Sequence, residues 1–506
     1  MEHQQARKSL SVTNLRLKFP NEPTLIFKDL SFSVVPGEKV LLLGPSGCGK
    51  STLLQVLSGI IPKSIEVPLK YDAIQLPESW GFVFQDPDTQ FCMPYVDEEL
   101  AFVLENIQVP RSEMDRRIEK ALEMVGLQGI PIHTQIHDLS QGMKQRLALA
   151  SVLLLQPEVL FLDEPSALLD PDGVEQIWTS VKEVAAEKTV LIVEHKIDQI
   201  ADWVDRVVLF KDNGEILADG RPADVFRFYK QQLIQYGIWY PKVWEDYLVS
   251  PAYLNLKKAR GDECLSTHPV LLLEKFNGYR GEKAKIQISH AEVVPGSWIG
   301  IIGENGAGKS TFLLALMQLL RTTGQYVLEE NTIQWKKRKN PLPKGLSLVF
   351  QNPELQFITN SVVDELSFSG RLKGLDEEML QIKVKKWIER FQLPLNENRH
   401  PFQLSLGQKR RLSVATAFMS GGKILLLDEP TFGQDARNTF MILEQLEELR
   451  RGGTTIMMVT HDEQIVEHFM TEVWKIDQGI LVDVSKRNPP EFRRKEQVYA
   501  GTVYSS

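Results

Sequence analysis

Short runs of apolar residues recur along the chain, and each ends at a glycine-rich or polar stretch. The runs are Lys39–Leu43, Val159–Leu162, Val190–Val193, Trp298–Ile302, Ile424–Leu427 and Ile456–Val459. Longer amphipathic segments lie between them, as expected for surface helices. Because continuous apolar runs of this length suit strands covered on both faces, the pattern predicts an α/β fold with a mostly parallel sheet. Functional groups are then expected at the carboxyl ends of the strands.

The chain contains an internal repeat of short motifs. The segment GPSGCGKST at Gly44–Thr52 returns as GENGAGKST, and Lys309 follows Lys50 by 259 residues. Later in each copy FQDP returns as FQNP, LSQGM as LSLGQ, FLDEP as LLDEP and VEH as VTH, at offsets of 265 or 266 residues. One set of motifs in one order indicates a duplicated domain. We place the copies at residues 10–225 and 270–485, with a connector at 226–268 and a loosely ordered tail at 486–506.

Composition narrows the class of protein. The 506 residues carry a formal net charge of −8, and 25% of them are charged, which is typical of a soluble globular chain of several domains. An acidic balance disfavours sequence-independent binding of nucleic acid, which requires concentrated Lys and Arg. The three cysteines, at positions 48, 92 and 264, indicate a reducing compartment rather than a disulfide framework. No apolar run is long enough to span a membrane, and the first residues lack the apolar region of a secretory signal.

Both glycine-rich segments fit the pattern G-x-x-x-x-G-K-[ST] between a strand and a helix, which is the pattern of a phosphate-binding loop. Backbone N–H groups of such a loop converge on phosphate oxygens at a helix N-terminus. Lys50 and Lys309 are expected to reach the outer phosphates, and an ordinary glycine turn is disfavoured because the match occurs twice. The predicted phosphate-binding residues are Gly44, Pro45, Ser46, Gly47, Cys48, Gly49, Lys50, Ser51 and Thr52 in the first copy and Gly303, Glu304, Asn305, Gly306, Ala307, Gly308, Lys309, Ser310 and Thr311 in the second. We also expect the helix N-terminus and Lys50 to lower the pKa of the Cys48 thiol.

Acidic pairs follow a later strand in each copy. Asp163 and Asp428 are predicted to hold Mg²⁺ together with Ser51 and Ser310. The adjacent Glu164 and Glu429 are predicted to orient or deprotonate the attacking water. A solvated acidic turn is the alternative, and the lysines upstream make it less probable. His195 and His461 follow the next strand at 32 and 33 residues after the aspartates and are expected to contact the terminal phosphate.

These motifs together resemble the nucleotide-binding domains of the ABC ATPase family, because LSQGM and LSLGQ separate that family from other P-loop proteins. The resemblance implies two P-loop ATPase domains in tandem, each with a mostly parallel sheet core, an antiparallel β portion and a helical subdomain. It also implies that the two halves pair head to tail within the chain. Ser405 and Gly407 then complete the site of Lys50, while Ser140 and Gly142 complete that of Lys309.

The same resemblance assigns further residues. Gln85 and Gln351 correspond to the glutamine that senses Mg²⁺ and the membrane partner, and Phe19 and Tyr279 correspond to the ring that stacks on adenine. For these two rings, core packing is nearly as probable. Both signatures depart from the usual LSGGQ, with Gln141 or Leu406 at the first glycine position and Met143 in place of the final Gln. We therefore expect two active but unequal sites.

The stretch after each of these glutamines indicates the type of ABC protein. The pattern Q-x-P-x-x-Q-F, followed by V-x-[DE]-E-L-x-F, resembles the ATPases of energy-coupling factor (ECF) importers of vitamins and metal ions. The resemblance implies integral membrane partners, a separate substrate-binding component and a peripheral position on the cytoplasmic face of the cell membrane. For the solute, the fused arrangement favours thiamin or its pyrimidine precursor, and cobalt, riboflavin or another vitamin remain open. The alternatives are the tandem ATPase of a sugar-type importer and an ABC protein without a role in transport.

Overall fold

The computed structural model describes residues 9–20, 24–167, 169–258, 268–336, 342–393 and 399–486. The chain divides into two compact units, the first formed by Met1–Leu248 with Gly433–Thr439 and the second by Val249–Phe432 with Phe440–Ser506. The division at Leu248 falls within the predicted connector. Of the predicted tail, only Lys486 lies within the described residues.

The first unit contains two sheets and a set of helices. Its strands are β1 (Leu10–Leu17), β2 (Phe27–Val34), β3 (Lys39–Leu43), β4 (Leu69–Lys70), β5 (Ala73–Gln75), β6 (Trp80–Val83), β7 (Val159–Asp163), β8 (Thr189–Val193), β9 (Arg206–Phe210) and β10 (Ile216–Gly220). Its helices are α1 (Lys50–Ser58), α2 (Ile60–Lys63), α3 (Val96–Asn106), α4 (Arg111–Met124), α5 (Gln141–Leu154), α6 (Pro171–Val184), α7 (Pro222–Phe228), α8 (Lys230–Tyr236) and α9 (Val243–Leu248).

The main sheet of the first unit has the order β10-β9-β3-β8-β7-β6, and it is parallel except for β10. Strands β7 and β8 are buried along their whole length, in keeping with their continuous apolar sequence. Strands β2, β1, β4 and β5 form a separate antiparallel sheet, which shares a hydrophobic core with the main sheet and α1. The carboxyl ends of β3, β7 and β8 therefore lie side by side.

The second unit repeats this arrangement around one ten-stranded sheet. Its strands are β11 (Leu271–Arg280), β12 (Lys283–Val293), β13 (Trp298–Ile302), β14 (Arg321–Leu328), β15 (Asn331–Thr332), β16 (Leu346–Val349), β17 (Ile424–Asp428), β18 (Thr455–Val459), β19 (Glu472–Asp477) and β20 (Ile480–Lys486). Its helices are α10 (Pro251–Lys258), α11 (Lys309–Leu316), α12 (Val362–Leu372), α13 (Glu377–Arg390), α14 (Leu406–Ser420), α15 (Ala436–Arg451), whose first turn groups with the other unit, and α16 (Glu463–His468).

The sheet order is β15-β14-β11-β12-β20-β19-β13-β18-β17-β16, with parallel pairing from β19 to β16 and antiparallel pairing from β12 to β15. In each unit three helices, α3–α5 or α12–α14, pack together beside the sheet. The predicted α/β fold, with a parallel core, an antiparallel portion and a helical subdomain, is confirmed. In the described part of the chain, no helix combines the length and the apolar character needed to cross a membrane.

Candidate active site

Each glycine-rich loop connects a central strand to the helix that follows it, β3 to α1 in the first unit and β13 to α11 in the second. In the first loop the Lys50 ammonium donates hydrogen bonds to the carbonyls of Gly44 at 2.8 Å and Pro45 at 3.0 Å. In the second, Lys309 donates to Gly303 at 2.8 Å and Glu304 at 2.9 Å. Both lysines are less than 10% exposed. The loops therefore hold both ammonium groups inside the turn, where successive N–H groups precede the helix.

Glycine is required at the last position of the loop before the lysine. Gly49 has a φ of 100°, in the left-handed region. A Cβ at this position would lie 2.7 Å from both Ile26 Cγ2 and Phe27 Cζ. The loop can therefore approach strand β2 only without a side chain at this residue.

The aspartates at the ends of β7 and β17 are buried beside the loops. Ser51 Oγ donates to Asp163 Oδ1 at 2.8 Å. Burial raises the pKa of Asp163 to about 6, although the Ser51 hydrogen bond opposes this shift. Burial likewise raises the pKa of Asp428 to about 6, and the Ser310 side chain interacts with that carboxyl. Among the described residues Asp428 Oδ1 has no hydrogen-bond partner.

These residues fit the requirements of Mg²⁺. The ion takes oxygen ligands, commonly one or two carboxylates with hydroxyl, water and phosphate oxygens. Ser51 with Asp163, and Ser310 with Asp428, offer such oxygens, and the unpartnered Asp428 Oδ1 is the kind of buried atom that a cation would satisfy. In the described ranges no group of three or more His, Cys, Asp or Glu residues could hold a metal by itself. Each serine and aspartate pair supplies fewer oxygens than the six ligands of Mg²⁺, so water or phosphate oxygens would complete its coordination.

In the first copy, Glu164 is held by two polar neighbours. His195 Nε2 lies 3.0 Å from Glu164 Oε1, and Gln85 Nε2 donates to Glu164 Oε2 at 2.6 Å. Burial alone would raise the pKa of Glu164, but the His195 hydrogen bond and the charges of His195 and Lys50 bring it below its usual range. Burial opposes protonation of His195, yet the interaction with Glu164 raises the pKa of the imidazole. The pair is therefore polarised towards a carboxylate and an imidazolium.

The second copy repeats this pair with looser geometry. His461 Nε2 lies 3.3 Å from Glu429 Oε1. Glu164 and Glu429 both have left-handed backbones, with φ of 48° and 50°, and both N–H groups donate to the neighbouring strand, at Val193 and Val459. Strained residues of this kind cluster at functional sites, where surrounding contacts fix them. Gln351 is exposed, like Gln85.

The structure adds a polar pair that the motifs did not indicate. Glu194 is 3% exposed, and it accepts hydrogen bonds from Ser166 Oγ and from the His195 N–H, each at 2.7 Å. Burial raises the pKa of Glu194 to about 7. The second copy has Thr460 and Thr431 at these positions. The sequence does contain a signal for this difference, because the motif VEH of the first copy has Thr in place of Glu in the VTH of the second.

The signature serines lie at helix N-termini. Ser140 Oγ accepts from the Met143 N–H at 3.3 Å at the start of α5, and Ser405 Oγ accepts from the Gln408 N–H at 3.3 Å at the start of α14. Only the second copy has a capping box, because Gln408 also accepts from the Ser405 N–H at 3.1 Å, and Met143 has no such acceptor. Both serines are exposed and precede Gly142 and Gly407. Each helix thus presents a hydroxyl and a positive dipole end to solvent.

The stretch after each candidate sensor glutamine is tied to the signature helix in the same way in both copies. Gln90 Nε2 donates to the Ala148 carbonyl at 3.0 Å, and Gln356 Nε2 donates to the Ser413 carbonyl at 2.8 Å. Salt bridges join the same elements: Lys144 to Asp88 at 2.7 Å, and Lys409 to Glu354 at 2.5 Å. The repeated second Gln of Q-x-P-x-x-Q-F therefore has a structural role, connecting this turn to α5 or α14.

Buried carboxylates order the loop that follows. Glu99 Oε2 accepts from the N–H groups of Cys92 and Met93, both at 2.8 Å. Glu365 Oε2 accepts from those of Ile358 and Thr359, at 3.1 and 2.9 Å. These are the glutamates of the E-L pair in the V-x-[DE]-E-L motif. The motif thus fixes the loop conformation in both copies.

The two candidate adenine rings differ in their surroundings. Phe19 is partly buried and packs on the core of the first unit. The Tyr279 ring has the Arg321 guanidinium 4.8 Å from its centroid, and its hydroxyl lies 3.4 Å from Thr323 Oγ1. Adenine stacking by these rings stays a prediction.

The expectation about the Cys48 thiol is wrong. Cys48 is 2% exposed, and burial raises its pKa, outweighing the nearby charge of Lys50 and the backbone hydrogen bonds. Position at a helix N-terminus does not lower the pKa here because the thiol points into the core instead of the solvent. Cys48 and Cys92 are both free thiols.

The sequence has clear relatives. It matches the ABC transporter family model at residues 27–167 and 286–432. It is 36% identical over 505 residues to a Bacillus subtilis (strain 168) protein named "Putative HMP/thiamine import ATP-binding protein YkoD", with 94% of this chain and 91% of the relative covered. A Streptococcus pneumoniae serotype 4 protein named "Putative ABC transporter ATP-binding protein" is 34% identical, with 97% and 93% covered.

A solved structure shares the fold over most of the chain. The complex of the archaeal ribosome recycling factor aABCE1 with the ribosomal stalk protein aP1 matches with a TM-score of 0.60 at 18% identity, with 91% of this chain and 87% of that chain covered. At this identity the likeness concerns the fold alone. The matched family model and these two relatives confirm the resemblance to the ABC ATPase family that the motifs indicated. This chain belongs to the ABC transporter family and is an ATPase coupled to transport.

Proposed function

We propose that the chain is the double ATPase of an ECF-type importer, with two unequal ATP sites that energise uptake of thiamin or its pyrimidine precursor. The observation that carries the proposal is the pairing, in each copy, of a buried aspartate and a Glu–His pair with a phosphate-loop lysine. The relative named for HMP/thiamine import supports the choice of solute.

The residues of the first copy suggest the division of chemical roles. Lys50 and the loop N–H groups bind the phosphates, while Ser51, Asp163 and Gln85 hold Mg²⁺, which neutralises phosphate charge when bound. Glu164 accepts a proton from the attacking water. The water oxygen bonds to the γ-phosphorus while the bond between the γ-phosphorus and the β-phosphate oxygen breaks. The lowered pKa of Glu164 keeps it ionised to accept the proton. His195 holds Glu164 in place through its Nε2 contact, and the positive charge of its protonated ring stabilises the developing negative charge.

The second copy uses the equivalent set: Lys309, Ser310, Asp428, Gln351, Glu429 and His461. In this proposal the two halves pair head to tail within the chain. The exposed hydroxyl of Ser405 then completes the site of Lys50, and that of Ser140 completes the site of Lys309. This pairing draws support from the accessible, N-capped helix ends on which both serines lie.

Exposed apolar residues of the second copy support contact with a membrane protein. Leu355 is 70% exposed and Ile358 is 64% exposed, both on the turn and loop after Gln351, and Phe402 is 48% exposed on the turn before the signature. The first copy has Thr89, Cys92 and His137 at these positions. Exposed apolar residues close to a functional loop are typical of interaction surfaces. The chain would then lie peripherally on the cytoplasmic face of the membrane.

The hydrolysis assignment is tested with Glu164→Gln and Glu429→Gln in one chain. We expect loss of Mg-ATP hydrolysis with ATP binding retained, because the amide keeps the shape but cannot accept the proton. Glu158→Gln, at an exposed glutamate just before β7, is the matched control and should keep full activity. Hydrolysis that persists in the double variant would disprove the role of the two glutamates.

The transport assignment is tested in proteoliposomes with the membrane proteins that co-purify with the chain. Uptake of labelled thiamin or its pyrimidine precursor should require ATP and be lost in the double glutamine variant. Leu355→Glu with Ile358→Glu should reduce co-purification, whereas Val482→Glu, at a residue of β20 that is 53% exposed, should not. ATP-dependent uptake of a sugar in place of these solutes would identify the alternative importer class.

A further inference from the structure

Glu194 is a buried carboxyl that the proposed mechanism does not use. It follows the last residue of β8, the strand next to β7. Val193 at the end of β8 pairs with Asp163 at the end of β7, so Glu194 comes one residue after this pair. At 3% exposure it is among the most buried acidic side chains of the described chain. Burial of a carboxyl is costly, so its hydrogen-bond partners indicate what holds it there.

Those partners belong to the two segments that carry the reacting groups. Ser166, whose Oγ donates at 2.7 Å, lies two residues after Glu164 in the same turn. The other donor, also at 2.7 Å, is the backbone N–H of His195. One carboxyl therefore joins the turn of Glu164 to the start of the His195 loop, and the side chains of Glu164 and His195 are themselves 3.0 Å apart.

The electrostatic coupling points the same way. Burial raises the pKa of Glu194 to about 7, and the charge of Glu164 adds to this effect, while Ser166 and His195 oppose it. In turn, the Glu194 charge contributes to the raised pKa of His195, along with Glu164 and against burial and Lys50. Above neutral pH, an ionised Glu194 thus favours the charged imidazole. Thr460 in the second copy has no charge to supply.

We propose that Glu194 is a positioning residue of the first copy, which fixes the Glu164–His195 pair through its bridge from Ser166 to the His195 backbone. Hydrolysis at the site of the Gly44–Thr52 loop then depends on a carboxyl that is absent from the second copy, where Thr460 takes its place. The inference rests on the proposed role of Glu164 and adds to it a source of inequality between the two sites.

The test uses the full chain with both copies otherwise intact. In Glu194→Gln we expect kcat to fall about twofold if the second copy hydrolyses ATP independently of the first. If hydrolysis at one site requires the other, kcat should fall about 10-fold. The KM for ATP should stay within about twofold, because the hydrogen bonds of the Glu194 carboxyl go to Ser166 and His195, which lie outside the phosphate loop. In the parent we expect kcat to rise between about pH 6 and 8 as Glu194 ionises, and in the variant this rise should flatten because the titrating carboxyl is gone. Glu158→Gln is the control and should keep the parental profile.

Glu194→Thr covers the case in which the amide does not fold, because the second copy shows that the fold accepts threonine here. It should show the same flattened profile with an unchanged thermal midpoint. An unchanged pH profile in both variants, or a loss of kcat that only follows a loss of stability, would overturn the proposal. If hydrolysis persists in Glu164→Gln with Glu429→Gln, the proposed function fails instead, so the two failures are distinguishable.

Discussion

The Asp428 carboxyl should destabilise the nucleotide-free chain, and this can be measured with Asp428→Asn. Asp428 ends β17, is 7% exposed, and has an Oδ1 atom without a hydrogen-bond partner among the described residues. Burial raises its pKa from 3.8 to about 6. A neutral amide of the same shape removes the buried charge, so we expect the variant to be more stable than the parent at neutral pH.

The sign and size follow from the proton linkage. The folded chain binds the Asp428 proton more tightly than the unfolded chain, so protonation favours folding below about pH 4. This advantage is lost as the pH rises through about 6. The resulting cost to the folded state is about 3 kcal/mol at pH 7.5 and about half as much at pH 5. For a unit of this size, the change at pH 7.5 corresponds to a rise in Tm of roughly 5–10 °C.

The assay is differential scanning calorimetry without nucleotide or Mg²⁺, in which the transition of the second unit is followed at pH 7.5 and pH 5. The matched control is Asp483→Asn, on the exposed β20, which should leave both transitions in place. A destabilised Asp428→Asn at pH 7.5, or a gain that is equal at both pH values, would refute the reasoning. Binding of Mg-ATP should reverse the order of stability, because the variant loses the carboxylate that the ion is proposed to bind.

Three further predictions concern buried groups. In a maleimide time course mapped by mass spectrometry, Cys92 should react in the native chain and Cys48 only after unfolding, because the Cys48 thiol is buried with a raised pKa. Arg450 and Glu447 form a buried bidentate pair at 2.9 and 3.1 Å, so Glu447→Leu should cost about 3–5 kcal/mol in unfolding experiments and the double variant with Arg450→Met less. Gly49→Ala should lower ATP affinity in a binding titration, because its Cβ collides with β2 and its φ disfavours a side chain.

The sequence predicts the parallel core well because each apolar run is both a strand and the start of a motif. The run Lys39–Leu43 forms β3 with the same bounds. The run Val159–Leu162 forms β7, which is one residue longer and ends at Asp163. The phosphate-loop motif also carries its own geometry, since glycine spacing determines where the lysine lies. These features are local, and the duplication allowed each to be read twice.

Features that depend on tertiary contacts were not predictable in this way. The Cys48 thiol illustrates the failure: its sequence position indicates an exposed helix N-terminus, but a Cβ on Gly44 would lie only 2.8 Å from its Sγ, so the thiol is packed under the loop. The role of the second Gln in Q-x-P-x-x-Q-F depends on carbonyls about sixty residues away. Glu194 belongs to no repeated motif, because the second copy has Thr460 at its position.

The two copies have the same candidate catalytic glutamate and histidine but differ in the buried charged residues near them. The first has Glu194 and, in α5, the neutral Gln145, whose Nε2 donates to the Phe84 carbonyl at 3.1 Å. The second has neutral Thr460 and, at the position of Gln145, the 4% exposed Arg410. Burial lowers the pKa of Arg410 to about 10, while Glu429 and Asp428 counteract this shift.

Phosphoryl transfer places its charge on the phosphate oxygens and the leaving group, so nearby buried charges alter its barrier directly. In the second copy, the cation Arg410 lowers the energy of this negative charge. In the first copy, the anion Glu194 raises it, unless Glu194 compensates by keeping His195 protonated. The inequality that we propose for the two sites would then arise from residues outside the nucleotide motifs as well as from Met143 in the first signature. A domain duplication can thus preserve the lysine, aspartate, glutamate and histidine of each candidate site and still surround them with different buried charges.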